Sequence, residues 1–122
     1  MGKINSRSKG NRFERVVAGM INYVLGTTFR RVPLSGGLEI KGDLYDADVL
    51  QGYKPPEYIH AFCIECKHCE QIRIEQWLDQ VERDCHEYKE PLLIFKKNKR
   101  DSYACLRFTT FLEMVQRIQE KI

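Results

Sequence analysis

No apolar run in the chain approaches the roughly 20 residues of a membrane span, and neither end carries a secretory leader. No linker-like or low-complexity tract and no internal repeat interrupts it. These absences exclude a membrane span and a modular array, and they point to a soluble, intracellular (cytoplasmic) protein. Five cysteines is an odd number, and without a secretory context a disulfide framework is not expected. Cys63, Cys66 and Cys69 around His68 resemble a zinc cluster only superficially. An odd offset on a strand sends Cys63 and Cys66 to opposite faces, and no second ligand pair from a turn follows. Reduced, mostly buried thiols are therefore expected. Zinc-finger spacing and an obvious base-reading helix are also lacking.

The chain does have enough length for one core: 122 residues, read as a single domain over 1–122, with residues 1–7 a flexible basic arm. Its net charge of +3 is unevenly spread, with basic segments at both ends and an acidic middle. That layout suits a protein that grips a polyanion while gathering carboxylates around a cation.

Phe13, Val16, Val17, Met20, Val24 and Leu25 recur at spacings of three and four, predicting a helix from an N-cap at Ser8 to a stop at Gly26. Phe29 to Val32 reads as a strand and Pro33 to Gly37 as a loop. Two β-prone runs, Asp43 to Leu50 and Tyr58 to Lys67, flank a turn-rich segment and read as an antiparallel hairpin. A second helix is expected over Ile74 to Tyr88, then strands at Leu92–Lys97 and Ser102–Phe108, and a last helix capped by Thr109 or Thr110. The fold class is therefore α/β (α+β): a central mixed sheet of about five strands flanked by helices, in the order αβββαββα.

The chemistry concentrates in Phe62-Cys63-Ile64-Glu65-Cys66-Lys67. Glu65 and Lys67 lie two apart on a strand and so share a face. Three upstream aspartates compete to stand beside them: Asp43, Asp46 and Asp48. Pairing Asp43 with Glu65 in the hairpin also pairs Tyr45 with Cys63, Ala47 with Ala61 and Val49 with Ile59, which keeps one face apolar. Asp48 remains the alternative. Facing carboxylates repel, and a divalent cation relieves the repulsion. Oxygen ligands from Asp43, Glu65, the backbone carbonyl of Cys66 and Glu14 suit Mg²⁺, with Mn²⁺ able to substitute. Lys67 could orient the attacking water or offset charge on a scissile phosphate. Lys9, Arg12 and Arg15 gather near the start of the first helix, where an anion can meet them.

Together, Lys9-Gly10-Asn11-Arg12-Phe13-Glu14-Arg15, Arg31-Val32-Pro33-Leu34-Ser35-Gly36, Lys41-Gly42-Asp43 and Ile64-Glu65-Cys66-Lys67, followed by a helix with Trp77 and Gln80, resemble the PD-(D/E)xK nuclease superfamily. The nearest branch is the archaeal-type Holliday junction resolvases and their phage relatives. The resemblance implies a restriction-endonuclease-like fold and a metal-dependent endonuclease that nicks opposed strands of a four-way DNA junction as a homodimer. It implies Glu14, Asp43 and Glu65 as metal ligands, Lys67 as the catalytic lysine, and Ser35 and Gln80 as assisting residues. Lys9, Arg12, Arg30 and Arg31 would contact DNA phosphates, and a phage member would act in host cytoplasm. Gly42-Asp43 stands where the superfamily usually has Pro-Asp. Two other functions fit the same residues: an endonuclease for duplex or flap DNA, and a non-catalytic nucleic-acid binder. Leu44, Phe62 and Ile64, or the final helix, could form the dimer patch.

Overall fold

The computed structural model describes residues 6–33, 40–85 and 89–121. Its first helix, α1 (Ser6–Leu25), starts two residues before the expected cap and so takes in the end of the expected arm. Phe13, Val17 and Ala18 form its buried stripe. Gly26 ends it at φ +67°, donating its N–H to Asn22. Asn22 then exchanges two hydrogen bonds with the backbone of Phe29, Oδ1 accepting at 2.7 Å and Nδ2 donating at 3.0 Å. This amide stands in for a neighbouring strand and fixes how the chain leaves the helix for β1 (Phe29–Arg31).

β1 pairs antiparallel with β2 (Leu44–Asp46). The expected hairpin of residues 43–50 with 58–67 does not form. Asp46 instead caps a single helical turn, α2 (Ala47–Leu50), its carboxylate accepting from the N–H groups of Asp48 and Val49 at 3.0 and 3.3 Å. Satisfying those free N–H groups stops the strand after three residues. A 3₁₀ turn (Tyr58–Ala61) follows, where a strand was expected.

The remaining strands are β3 (Phe62–Cys69), β4 (Glu90–Lys97) and β5 (Ser102–Cys105). β3 and β4 run parallel with Glu65 beside Leu93 and Lys67 beside Phe95, and β5 returns antiparallel to β4. The sheet is thus divided into one of two strands and one of three, not a continuous five-stranded sheet. The backbone N–H of Asp43 donates to Ile64 O at 2.8 Å and links the two.

α1 covers one face of β3: Phe62, Ile64 and Cys66 pack with Phe13, Val17, Ala18, Phe29 and Leu44. The helix α3 (Ile74–Asp84) covers the other face, bringing Trp77 to 6.1 Å from Phe95 between ring centres. Val81 and Leu93 are fully enclosed there. Each such aliphatic burial contributes about 2 kcal/mol. Because Leu44, Phe62 and Ile64 are all core, they cannot form the apolar surface patch considered from the sequence.

Two further expectations are revised. Cys63 on β3 is disulfide-bonded to Cys85 at the end of α3, so these thiols are not reduced; Cys66, Cys69 and Cys105 are free. The last helix, α4, spans Phe108–Glu120, with Arg107 rather than a threonine at its start. Thr110 is buried and donates to Glu90 Oε2 at 3.0 Å. Among the described residues, no helix is long and apolar enough to cross a membrane.

Candidate active site

The site is assembled on the edge of β3 that β4 leaves free. Gly42 turns the chain there at φ +87°. A Cβ at this position would lie 3.0 Å from Ile64 O and 3.1 Å from Cys63 Sγ, so only glycine lets the backbone approach this closely. Asp43 follows. Its N–H donates to Ile64 O at 2.8 Å, its carbonyl accepts from Val32 N at 2.8 Å, and its carboxylate accepts from Cys66 N at 2.7 Å. The N–H and C=O of one strand residue leave on the same edge. The Cys66 carbonyl is therefore also directed to the Asp43 edge, away from β4.

Glu65 is buried, at 5 % exposure, next to this aspartate. Burial, followed by the charge and hydrogen bonding of Asp43, pushes its carboxyl up to about 8, against a smaller opposing pull from Lys67. The charge of Asp84, at the end of α3, adds to the rise. Lys67 lies two residues on, half-buried on the same sheet face.

Glu14 is placed differently. Its Oε2 accepts from Arg31 Nε at 2.7 Å. Burial raises its pKa and the Arg31 hydrogen bond partly restores it, while the charge of Asp43 reaches it as well. Among the described residues no three His, Cys, Asp or Glu side chains gather closely enough to hold a metal ion. The expected trio is present as the pair Asp43 and Glu65, with Glu14 turned to its arginine. Arg31, expected on phosphate, is instead engaged with Glu14.

Asp46 and Asp48 face another network. Asp46 Oδ2 lies 2.9 Å from His60 Nε2, and Asp48 Oδ2 accepts from Thr28 Oγ1 at 2.7 Å. Burial works to raise the Asp46 pKa but is outweighed by hydrogen bonds from His60, Val49, Thr28 and Asp48, which lower it. Of the three aspartates, Asp43 is the one beside Glu65.

Gln80 is half-buried on α3, on the side of the sheet that carries Glu65, and makes no hydrogen bond to another described residue. Ser35 lies outside the described residues. Arg30 and Arg12 are exposed, and Lys9 is half-buried. His68, one residue beyond Lys67, packs its ring 5.4 Å from Phe13. Burial, then the charges of Lys9, Lys96 and Arg12, hold its pKa below the usual histidine value.

Sequence reasoning missed three contributors. The Gly42 contact required knowing that the segment crosses Ile64 backbone rather than pairing as a hairpin. Asp84 and the Cys63–Cys85 bond depend on where α3 docks, for which residue spacing carries no direct signal. Arg31 was noticed, but for a different partner.

No curated protein and no solved structure matches the chain. A family model does, over residues 5–122, and its description reads phage putative PDDEXK endonuclease. The match covers nearly the whole chain and all the site residues described above, so the protein belongs to this phage endonuclease family of the PD-(D/E)xK type.

Proposed function

We propose that the protein is a divalent-metal-dependent, structure-selective DNA endonuclease that nicks opposed strands of a four-way junction as a homodimer. The observation that carries the metal-dependent chemistry is the placement of the Asp43 carboxylate on the N–H of Cys66, next in chain to Glu65, on the strand edge to which the Cys66 carbonyl points. Two carboxylates and a peptide oxygen form a hard-donor set that fits Mg²⁺ or Mn²⁺. The raised Glu65 pKa has the same sense, since Lys67 only partly offsets the burial and the neighbouring Asp43 charge. A cation held there would supply Lewis-acid charge against the negative charge that builds on a phosphate under attack.

The chain's own groups do the rest. Glu65 gives up its proton when a cation is held. Asp43 stays oriented by the Cys66 N–H, which fixes one oxygen and leaves the other for ligation. Lys67 projects from the same face as Glu65, where its ammonium can hold a water for in-line attack or offset phosphate charge. Glu14, steadied by Arg31, acts from the periphery, and Gln80 and Ser35 are assisting residues. Lys9, Arg12 and Arg30 supply phosphate contacts. Support for pairing of two subunits comes from α4, where Phe108, Phe111, Leu112 and Ile118 are exposed along one helix.

An endonuclease of duplex or flap DNA would use the same chemistry. A purely binding role is disfavoured, because buried carboxylates have no use opposite phosphates unless a cation intervenes. The test is incubation with Mg²⁺ and three labelled substrates: linear duplex, flap and an immobile four-way junction. Preferential paired nicks in the junction support the proposal. Equal cutting of all three sinks the junction preference, and no cutting of any sinks the nuclease reading.

A further inference from the structure

The segment Lys97-Asn98-Lys99-Arg100, between β4 and β5, places three exposed cations within four positions of the chain. Its shape is fixed. The N–H of Arg100 donates to Lys97 O at 3.1 Å, Lys99 turns the chain at φ +61°, and Asn98 Nδ2 donates to Glu70 Oε1. That last bond ties the turn to the loop that follows β3. Other cations meet acids, as Arg31 meets Glu14 and Arg107 meets Glu82 and Glu90. Lys97, Lys99 and Arg100 make no ion pair among the described residues.

Strand register sets an aromatic ring beside this turn and on the face of the site. Lys67 is the partner of Phe95 across β3–β4, and Phe95 is the partner of Tyr103 across β4–β5. All three side chains therefore leave the sheet face that carries Glu65, and Lys97, two residues after Phe95, shares it. The Phe95 ring has an aromatic neighbour on each side: Trp77 of α3 at 6.1 Å and Tyr103 at 5.9 Å, the latter inclined by 27°. Trp77 is buried, whereas Tyr103 is 59 % exposed on a strand that is open along residues 102–104. A ring stacked on one side and this exposed has its second face free. One exposed aromatic is ordinary. An open π-face beside three unneutralised cations is what a single-stranded nucleic acid binds, base on ring and phosphate on cation.

We infer that Tyr103 is a stacking platform for an unpaired DNA base, with Lys97, Lys99 and Arg100 holding the phosphates on either side of it. That the nucleic acid is DNA rests on the function proposed above. Lys67 and Tyr103 stand two strand spacings apart, about 10 Å between backbones. Successive nucleotides advance by about 3.4 Å or more along one strand, so the captured base lies within about three steps of a phosphate at Lys67. The route passes the carboxyl ends of β3 and β4, ahead of the amino end of α3. This gives the structure preference a physical source. Bases at a branch point leave the helix stack at least cost, whereas a uniform duplex must be unstacked before it can offer one.

The test titrates a short single-stranded DNA carrying 2-aminopurine, whose emission falls when it stacks, with the full chain in chelator and across salt concentrations. The unaltered chain and Tyr103→Phe should quench the emission on binding. Tyr103→Leu keeps an apolar side chain against Phe95 but offers no π-face, and it should bind about tenfold more weakly, without the quench. Arg100→Ala should weaken binding and make the log–log salt dependence shallower by about 0.7 unit. Lys54→Ala, an exposed cation in the 51–57 segment, should change neither. Arg100 is exposed in a turn, so its variant keeps the fold even if Tyr103→Leu does not. Affinity and quenching in Tyr103→Leu equal to those of the unaltered chain would overturn the inference. An unchanged salt slope in Arg100→Ala, or an equal loss in Lys54→Ala, would overturn it too. Tyr103-dependent quenching by a chain that cuts none of the three substrates above would keep the platform and remove the nuclease reading. Cleavage of the junction without quenched single-strand binding would do the reverse.

Discussion

The Asp43 carboxylate accepts a hydrogen bond from the backbone N–H of Cys66 at 2.7 Å, across 23 positions of sequence. Cys66 stands between Glu65 and Lys67, so this one bond sets the aspartate against the strand that carries the other site residues. Asparagine can keep it through its side-chain carbonyl while removing a charge. Asp43→Asn should therefore fold normally yet lose cleavage by about 100-fold or more. Its melting temperature in chelator at pH 8 should equal or exceed that of the unaltered chain, because Glu65 no longer faces a second carboxylate. Undiminished cleavage would remove Asp43 from the site.

Stability should fall with rising pH in metal-free buffer. Glu65 has a folded-state pKa of about 8 against an ordinary 4.5. Between those values the folded chain holds a proton that the unfolded chain has lost, so its contribution is full below 4.5 and disappears as pH rises through 8. His68, with its depressed pKa, acts in the opposite direction but only below about 6.5. The clean window is thus roughly pH 6.5 to 8.5. Thermal melts across it should decline for the unaltered chain and be flatter for Glu65→Gln. Added Mn²⁺ should raise the melting temperature most at the alkaline end, and a flat unaltered profile would contradict the buried protonated carboxyl.

Gly42→Ala should be costly for two separate reasons. The residue has φ +87°, and its new Cβ would meet backbone at Ile64 O, 3.0 Å away. Gly52 has φ +78° but open space around it. Urea denaturation should give a loss of about 1 kcal/mol for Gly52→Ala and about 2–3 kcal/mol for Gly42→Ala. Cleavage should fall only in the second, since Asp43 moves with its neighbour. Equal losses would mean that the close approach is not structural.

Reduction should weaken the fold without removing a ligand. The Cys63–Cys85 bond spans 22 positions, a loop for which a cross-link contributes about 3 kcal/mol. Urea midpoints measured with and without dithiothreitol should differ accordingly, and Cys85→Ser should match the reduced chain. Identical midpoints would show that the bond does not form in solution.

Local pattern was enough for α1, for the body of α3, for β4 and for the Phe62–Lys67 part of β3, because each buries side chains whose spacing or β-prone composition is visible locally. Glu65 and Lys67 were legible as a same-face pair for the same reason. Proximity of Asp43 to Glu65 was also anticipated, but through a hairpin that does not exist. Asp46 diverts the chain into a helical turn by capping it, and its four partners include His60 and Thr28, which no local pattern connects to it. Glu14 illustrates a different limit. Its place on the helix edge was readable, whereas its engagement by Arg31 depends on how β1 docks beneath α1. The divided sheet follows from the three-residue length of β2, set by that same cap.

The disulfide turns residues 63–85 into a closed covalent ring. Glu65, Cys66, Lys67 and Gln80 all lie inside it, along with the whole of α3. A single backbone break in the exposed Glu70 to Arg73 segment would therefore not release any of them. The strand with its Glu-x-Lys and the helix behind it would stay tethered as one piece, so the half of this small protein that carries the candidate site tolerates a cut that would separate an open chain.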